Sequence, residues 1–229
     1  MPHDFFNEIA AMRSAWKLYS NYLATVLPID DQRHDLASEV TVRLEQMEIC
    51  MRLIQERMTP ITSDPALLAK TFAYIESNGP RLIAGEISEE QYFASMPTEE
   101  REPGVLSTAF SHIRLFTESF YNVAWRIREI FNSPPPRKMP GLTKINSVSI
   151  RVVRNHLIQH PEQANHKRPF RQEMLIMDDG PSLKSSAVLL KRGRATADID
   201  SVDKGLFVNA STFVAELQAS VARALASQG

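Results

Sequence analysis

Three long stretches of this chain repeat apolar residues at alternating steps of four and three, and only an α-helix gathers such positions onto one side. In the first, Asp4 to Leu27, the stripe is Phe5, Ile9, Met12, Trp16, Tyr19, Leu23 and Val26, and Pro28 ends it. In the second, Asp30 to Met58, it is Leu36, Val40, Leu44, Met47, Met51, Ile54 and Met58; Asp30 or Asp31 can cap the start, and Pro60 closes the end. In the third, Val105 to Phe131, it is Leu106, Phe110, Ile113, Phe120, Val123, Ile127 and Ile130, with Phe116 and Trp125 widening the apolar side. Long amphipathic helices joined by short turns pack antiparallel. The fold class expected is therefore mainly α, an up-down helical bundle.

Shorter elements fill the gaps. Ser63-Asp64-Pro65 opens a helix with Leu68, Phe72 and Ile75 on its apolar face, and Asn78-Gly79-Pro80 stops it. Another short helix lies near Ser88 to Ser95, and Pro97 to Gly104 reads as an exposed loop. Pro134, Pro135, Pro136 and Pro140 make residues 133–141 a stiff polyproline spacer, the clearest break in the chain. Thr143 to His160 reads as the next helix, capped by Thr143, with Ile145, Val148, Val152 and Leu157 on its apolar side. Its β-branched residues lower helix preference and leave a strand as the alternative, although eighteen residues is long for one.

After Pro161 the character changes. Gln163 to Arg171 is a polar, basic loop. Glu173–Met177 and Ala187–Leu190 are short apolar runs around the turn signal Asp178-Asp179-Gly180-Pro181, which implies a small β-hairpin or meander. Leu206–Val208 reads as a further strand, and Ser211 to Ala226 as a C-terminal helix with Phe213, Leu217, Val221 and Leu225 facing inward. The expected division is a helical bundle over 1–161, with the Pro-rich linker 133–141 inside it, and a small α+β tail over 162–229 packed on the bundle.

Composition narrows the setting. Hydrophobic residues are 43% and charged residues 23% of 229, an ordinary globular balance. A net charge of −1 argues against a broad basic surface for long nucleic acids but leaves room for a local patch. Cys50 is the single cysteine, so no internal disulfide and no cysteine metal site are expected. The start M-P-H-D-F-F-N-E lacks the pattern of a signal peptide, and no apolar run approaches the roughly 18 residues of a membrane span. The expectation is a cytoplasmic protein with no membrane contact.

The chemistry concentrates in R-V-V-R-N-H-L-I-Q-H-P-E, Arg151 to Glu162. Arg154 and His160 are about 240° apart on a regular helix, but Pro161 pushes His160 out of the helical region, so its ring can turn toward a cleft that Arg154 also reaches. Arginine holds a phosphate with a rigid charged fork, histidine moves a proton near neutral pH, and Asn155 offers a hydrogen bond beside them. With RNA, a base can take the proton of the 2′-hydroxyl while the guanidinium stabilises charge developing on the phosphate, without metal or other cofactor. Arg151 with His156 is a competing pair one register earlier. The plainer reading is a salt-bridged or capping pair, since a helix C-terminus attracts histidine in any case. His156, His160 and His166 lack a carboxylate at helical spacing to complete a metal site. Lys167 and Arg168, just beyond, can guide an RNA backbone or simply face solvent.

The run R-N-H-L-I-Q-H, an Arg followed by Asn and then a His near the end of a helix in an all-α bundle, resembles the HEPN superfamily. The resemblance implies a metal-independent endoribonuclease of a defence or toxin–antitoxin system, acting at the interface of a homodimer, with an antitoxin or other protein partner. It implies that Arg154 contacts the scissile phosphate, Asn155 stands beside it and His160 is the general acid or base. It covers residues 1–161 and not the β-containing tail. A second His inside the motif and the Pro directly after it depart from the family pattern. The competing expectation is a non-catalytic helical protein that binds a nucleotide or a protein partner.

Overall fold

The computed structural model describes residues 5–62, 65–97, 105–154, 170–177, 180–191, 194–202 and 205–227; in the strands it describes the backbone alone apart from Gly180 and Pro181. The chain is mainly helical. Helices α1 (Phe5–Val26), α2 (Arg33–Thr62) and α5 (Val105–Phe131) follow the three apolar stripes, and α7 (Leu206–Ala226) completes the bundle. Between them lie α3 (Pro65–Ile83), α4 (Glu89–Ala94) and α6 (Val148–Val152), and three strands, β1 (Phe170–Met177), β2 (Gly180–Lys191) and β3 (Arg194–Val202).

Cross-links fix the directions. Trp16 Nε1 donates to Ala37 O at 3.1 Å, while Arg13, further back along α1, reaches Glu45 and Glu48, so α1 and α2 run antiparallel. Phe5 meets Phe120 and Trp16 meets Phe131, so α1 and α5 run the same way. One continuous core joins α1, α2, α5 and α7, with Trp16, Tyr19, Tyr121, Phe120 and Phe213 as its largest fully buried side chains. Burying such aromatic surface at about 25 cal/mol per Å² is the main source of the bundle's stability. Val26, the last residue of the first stripe, is exposed, because its helix ends there.

Several boundaries differ from the sequence expectation. The second helix continues past Pro60 to Thr62, and the third passes through Asn78-Gly79-Pro80 to Ile83. A proline forfeits its own N–H but does not prevent the following residues from donating, and Ala84 N still bonds Pro80 O at 2.9 Å. Asn78 adds a side-chain bond to Tyr74 O at 3.2 Å. The short helix expected near Ser88 to Ser95 is α4, and Ser88 and Gln91 form a reciprocal capping box at its start.

The larger correction concerns 133–147; of the expected helix Thr143 to His160, residues 155–160 lie outside the described residues. The Pro-rich segment is pinned to the bundle: the Tyr19 hydroxyl, whose burial raises its pKa and keeps it protonated, donates to Pro140 O at 2.6 Å. Residues 143–147 are an extended strap rather than the first turns of a helix. Their backbone groups are taken by side chains: Asn132 bonds both Ile145 N and Ile145 O, and Ser220 bonds both Thr143 N and Thr143 O. Those partners remove the incentive to make helical bonds in a β-branched segment whose helix propensity is low. The strap runs back along the end of α5, and along it α7 runs the same way as α5, with Glu216 at Ser147, Ser220 at Thr143 and Ala224 against Gly141.

The β-meander expected after Pro161 is present as an antiparallel sheet in the order β1-β2-β3. Its registers pair Met177 with Gly180 and Lys191 with Arg194, and a bulge interrupts the second pairing at Ser185/Ser186. The third strand is the polar run 194–202, not Leu206–Val208. Leu206 opens α7, where Leu206, Ala210, Phe213, Leu217, Val221 and Ala224 are buried at helical spacing. Buried Gly180 has φ +91 and lies against the Phe207 ring, where a Cβ would stand 2.8 Å from it; this contact ties the sheet to α7.

Candidate functional site

The described part of the motif begins where the strap ends. Ser147 precedes α6, and α6 then returns alongside α5, which brings Arg151 and Arg154 back to the third long helix. Arg151 and Arg154, three apart, share one side of the turn. At 153–154 the backbone widens into a π-type turn, a local unwinding that recurs at functional positions.

That return places a guanidinium on an aromatic ring. Arg154 Cζ lies 5.1 Å from the centroid of the Trp125 ring, and Arg128 Cζ, from the next turn of α5, lies 4.9 Å from the same centroid. Each such contact contributes about 0.5–1 kcal/mol at a partly exposed position and fixes the orientation of the charged fork. Arg128 also donates from Nε to Asn146 O at 3.3 Å. Trp125, Arg128 and Arg154 are half-buried and Arg151 is exposed.

The charges act on one another. Burial, and then the charge of Arg151, lower the pKa of Arg128, while Glu216 and Glu129 act in the opposite direction. A cluster in which neighbouring arginines repel one another is a ready position for an anion, and phosphate suits the fork geometry.

Of the residues singled out in the sequence, the structure brings Arg151 and Arg154 together at this cluster. Asn155, His156, His160, Lys167 and Arg168 lie outside the described residues. Sequence reading missed Arg128 and the part Trp125 plays. The Trp125-x-x-Arg128 spacing is itself a signal, since three apart on a helix makes neighbours, but Trp125 reads most simply as extra apolar surface.

A groove of about 560 Å³ opens between α1 and α2, lined by Arg13, Ser14, Trp16, Lys17 and Thr41 among others, and shares no residue with the arginine cluster. Its Arg13 is already held by two carboxylates. Among the described residues no group of His, Cys, Asp and Glu is arranged to hold a metal ion, and no helix is long and apolar enough to cross a membrane. No family model matches this chain, and no curated protein or solved structure matches it.

Proposed function

We propose that this protein binds RNA phosphates at the Arg128–Arg151–Arg154 cluster and, through Arg154, Asn155 and His160, cleaves the RNA without metal as a HEPN-type endoribonuclease of a homodimer. The observation that carries the reading is the gathering of arginines on Trp125 at the motif turn, where Arg151 presses on Arg128. In the reaction, the 2′-hydroxyl attacks phosphorus and gives up its proton to a base. The bond to the 5′-oxygen breaks, and that oxygen takes a proton. The arginines stabilise the charge on the phosphate, and His160 moves one of the protons.

The test is cleavage of single-stranded RNA in excess EDTA. The wild-type chain is expected to cut it, and His160→Ala and Arg154→Ala to lose the activity. RNA left intact at high protein concentration counts against cleavage. Expression of the wild type slows host growth on this reading, and His160→Ala does not.

One observation favours a second reading. Arg154 is half-buried against Trp125, a seat that suits a fixed binding group as well as a catalytic one. The protein is then a non-catalytic helical module for a nucleotide or a protein partner. A melting shift with nucleotides and no turnover distinguishes it from the nuclease.

A further inference from the structure

Helix α6 starts from a strained residue. Ser147 has φ 33 and ψ 60, the left-handed region that serine adopts only under strain, and it is buried. Its own side chain makes no capping bond to the helix. Both of its donors instead reach one atom on another helix: Ser147 N and Ser147 Oγ each donate to Glu216 Oε2, both at 3.0 Å. Bonds to a carboxylate are the strong kind, and two of them on a half-buried oxygen offset the strain. The left-handed residue is also the point where the strap stops following α5 and the chain turns into α6. A change of its backbone angles redirects α6.

We propose that Glu216 is the positioning residue of the arginine cluster: by holding Ser147 left-handed from α7, it sets the direction of α6 and so the stand of Arg154 against Trp125 and of Arg151 beside Arg128. The proposal rests on the reading of the cluster as a phosphate site only for its consequence in binding. Its geometric content is independent of that reading. Glu216 acts through Ser147 and touches no ligand. Its carboxylate lies close enough to Arg128 to offset the charge of Arg151, so it also limits repulsion within the cluster. The last helix thereby does more than close the core, because it orients a site made by α5 and α6.

The chain has two tryptophans, Trp16 and Trp125, so the full-length protein labelled with 5-fluorotryptophan gives two fluorine NMR signals, assigned with Trp125→Phe. In Glu216→Ala the Trp125 signal is expected to move toward its position in Arg154→Ala while the Trp16 signal stays in place. Glu216→Gln keeps an acceptor for both Ser147 donors and is expected to restore the Trp125 signal. Ser147→Ala, which removes one of the two bonds, gives an intermediate shift and covers the case in which Glu216→Ala does not fold. Binding of a fluorescein-labelled oligouridylate in EDTA is expected to weaken on the order of tenfold in Glu216→Ala, as for one lost charged contact. A Trp125 signal unmoved in both Glu216→Ala and Ser147→Ala overturns the proposal. A moved signal with unchanged oligouridylate binding leaves the positioning role standing and removes the phosphate reading instead.

Discussion

The two tryptophans stand in opposite surroundings, and the contrast separates what holds this protein together from what it presents. Trp16 is 1% exposed, lies between the rings of Tyr19 and Phe131, and places its one polar atom on Ala37 O. Trp125 is half-buried, packs against the edge of the core and takes two guanidiniums on its ring. Both belong to helices specified by apolar spacing. One ring is spent on packing, the other on holding charge in place.

The largest expected effect breaks the core half of the contrast. Trp16→Ala removes a fully buried indole and leaves a cavity among Tyr19, Phe131 and α2, at about 3–5 kcal/mol. Urea denaturation measures it. Any oligouridylate binding by the remaining folded fraction is expected at wild-type affinity. A loss of affinity in that fraction would mean that the core and the arginine cluster are not separable.

Much of the core was legible in the sequence because burial and periodicity are local properties of a stripe. The α1, α2 and α5 stripes, the short helix near Ser88 and the meander after Pro161 all follow from residue spacing or from one turn's chemistry. The strap was not legible. Its backbone partners are Asn132, Ser220 and Glu216, which lie 13, 77 and 69 residues away from the groups they bond, and no local pattern announces them. A segment with weak helix preference went to whichever partners the tertiary fold offered. The third strand failed for a related reason: its run R-A-T-A-D-I-D-S-V is polar, and Leu206–Val208 looked more like a strand than it did. At the site, Arg151 and Arg154 were found by residue type. Arg128 was not, because its relation to them exists only once α6 has turned back along α5.

A smaller effect on stability, and a larger one on binding, is expected from Trp125→Ala. The ring is half-buried and its two cation contacts contribute about 0.5–1 kcal/mol each, so denaturation should show a loss on the order of 1–2 kcal/mol. Oligouridylate affinity should fall on the order of tenfold, because Arg128 and Arg154 lose the surface that orients them. Trp125→Phe keeps a ring and should recover part of both. If Trp125→Ala costs as much stability as Trp16→Ala and leaves binding unchanged, the two tryptophans do the same work and the contrast fails.

The smallest effect sharpens the contrast at the level of single charges. Arg126 holds Glu39 with two bonds, at 2.8 and 3.0 Å, whereas Arg151 adds its charge to that of Arg128. Arg126→Ala should therefore destabilise the protein slightly, by about 0.2–1 kcal/mol as for an exposed pair. Arg151→Ala should be neutral or slightly stabilising, within about 0.5 kcal/mol. The Arg126 pair also responds to pH. The hydrogen bonds from Arg126 are the main reason that the Glu39 carboxyl titrates below its ordinary range. As pH falls, the unfolded chain takes up that proton first, so the contribution of the pair is full above the ordinary glutamate range and gone once pH passes below the folded value. The difference between wild type and Arg126→Ala should close over that acidic interval. Added salt should shrink both differences toward zero. Arg151→Ala losing as much stability as Arg126→Ala would show that Arg151 is held as an ordinary paired surface charge, and its repulsion with Arg128 would have to be abandoned.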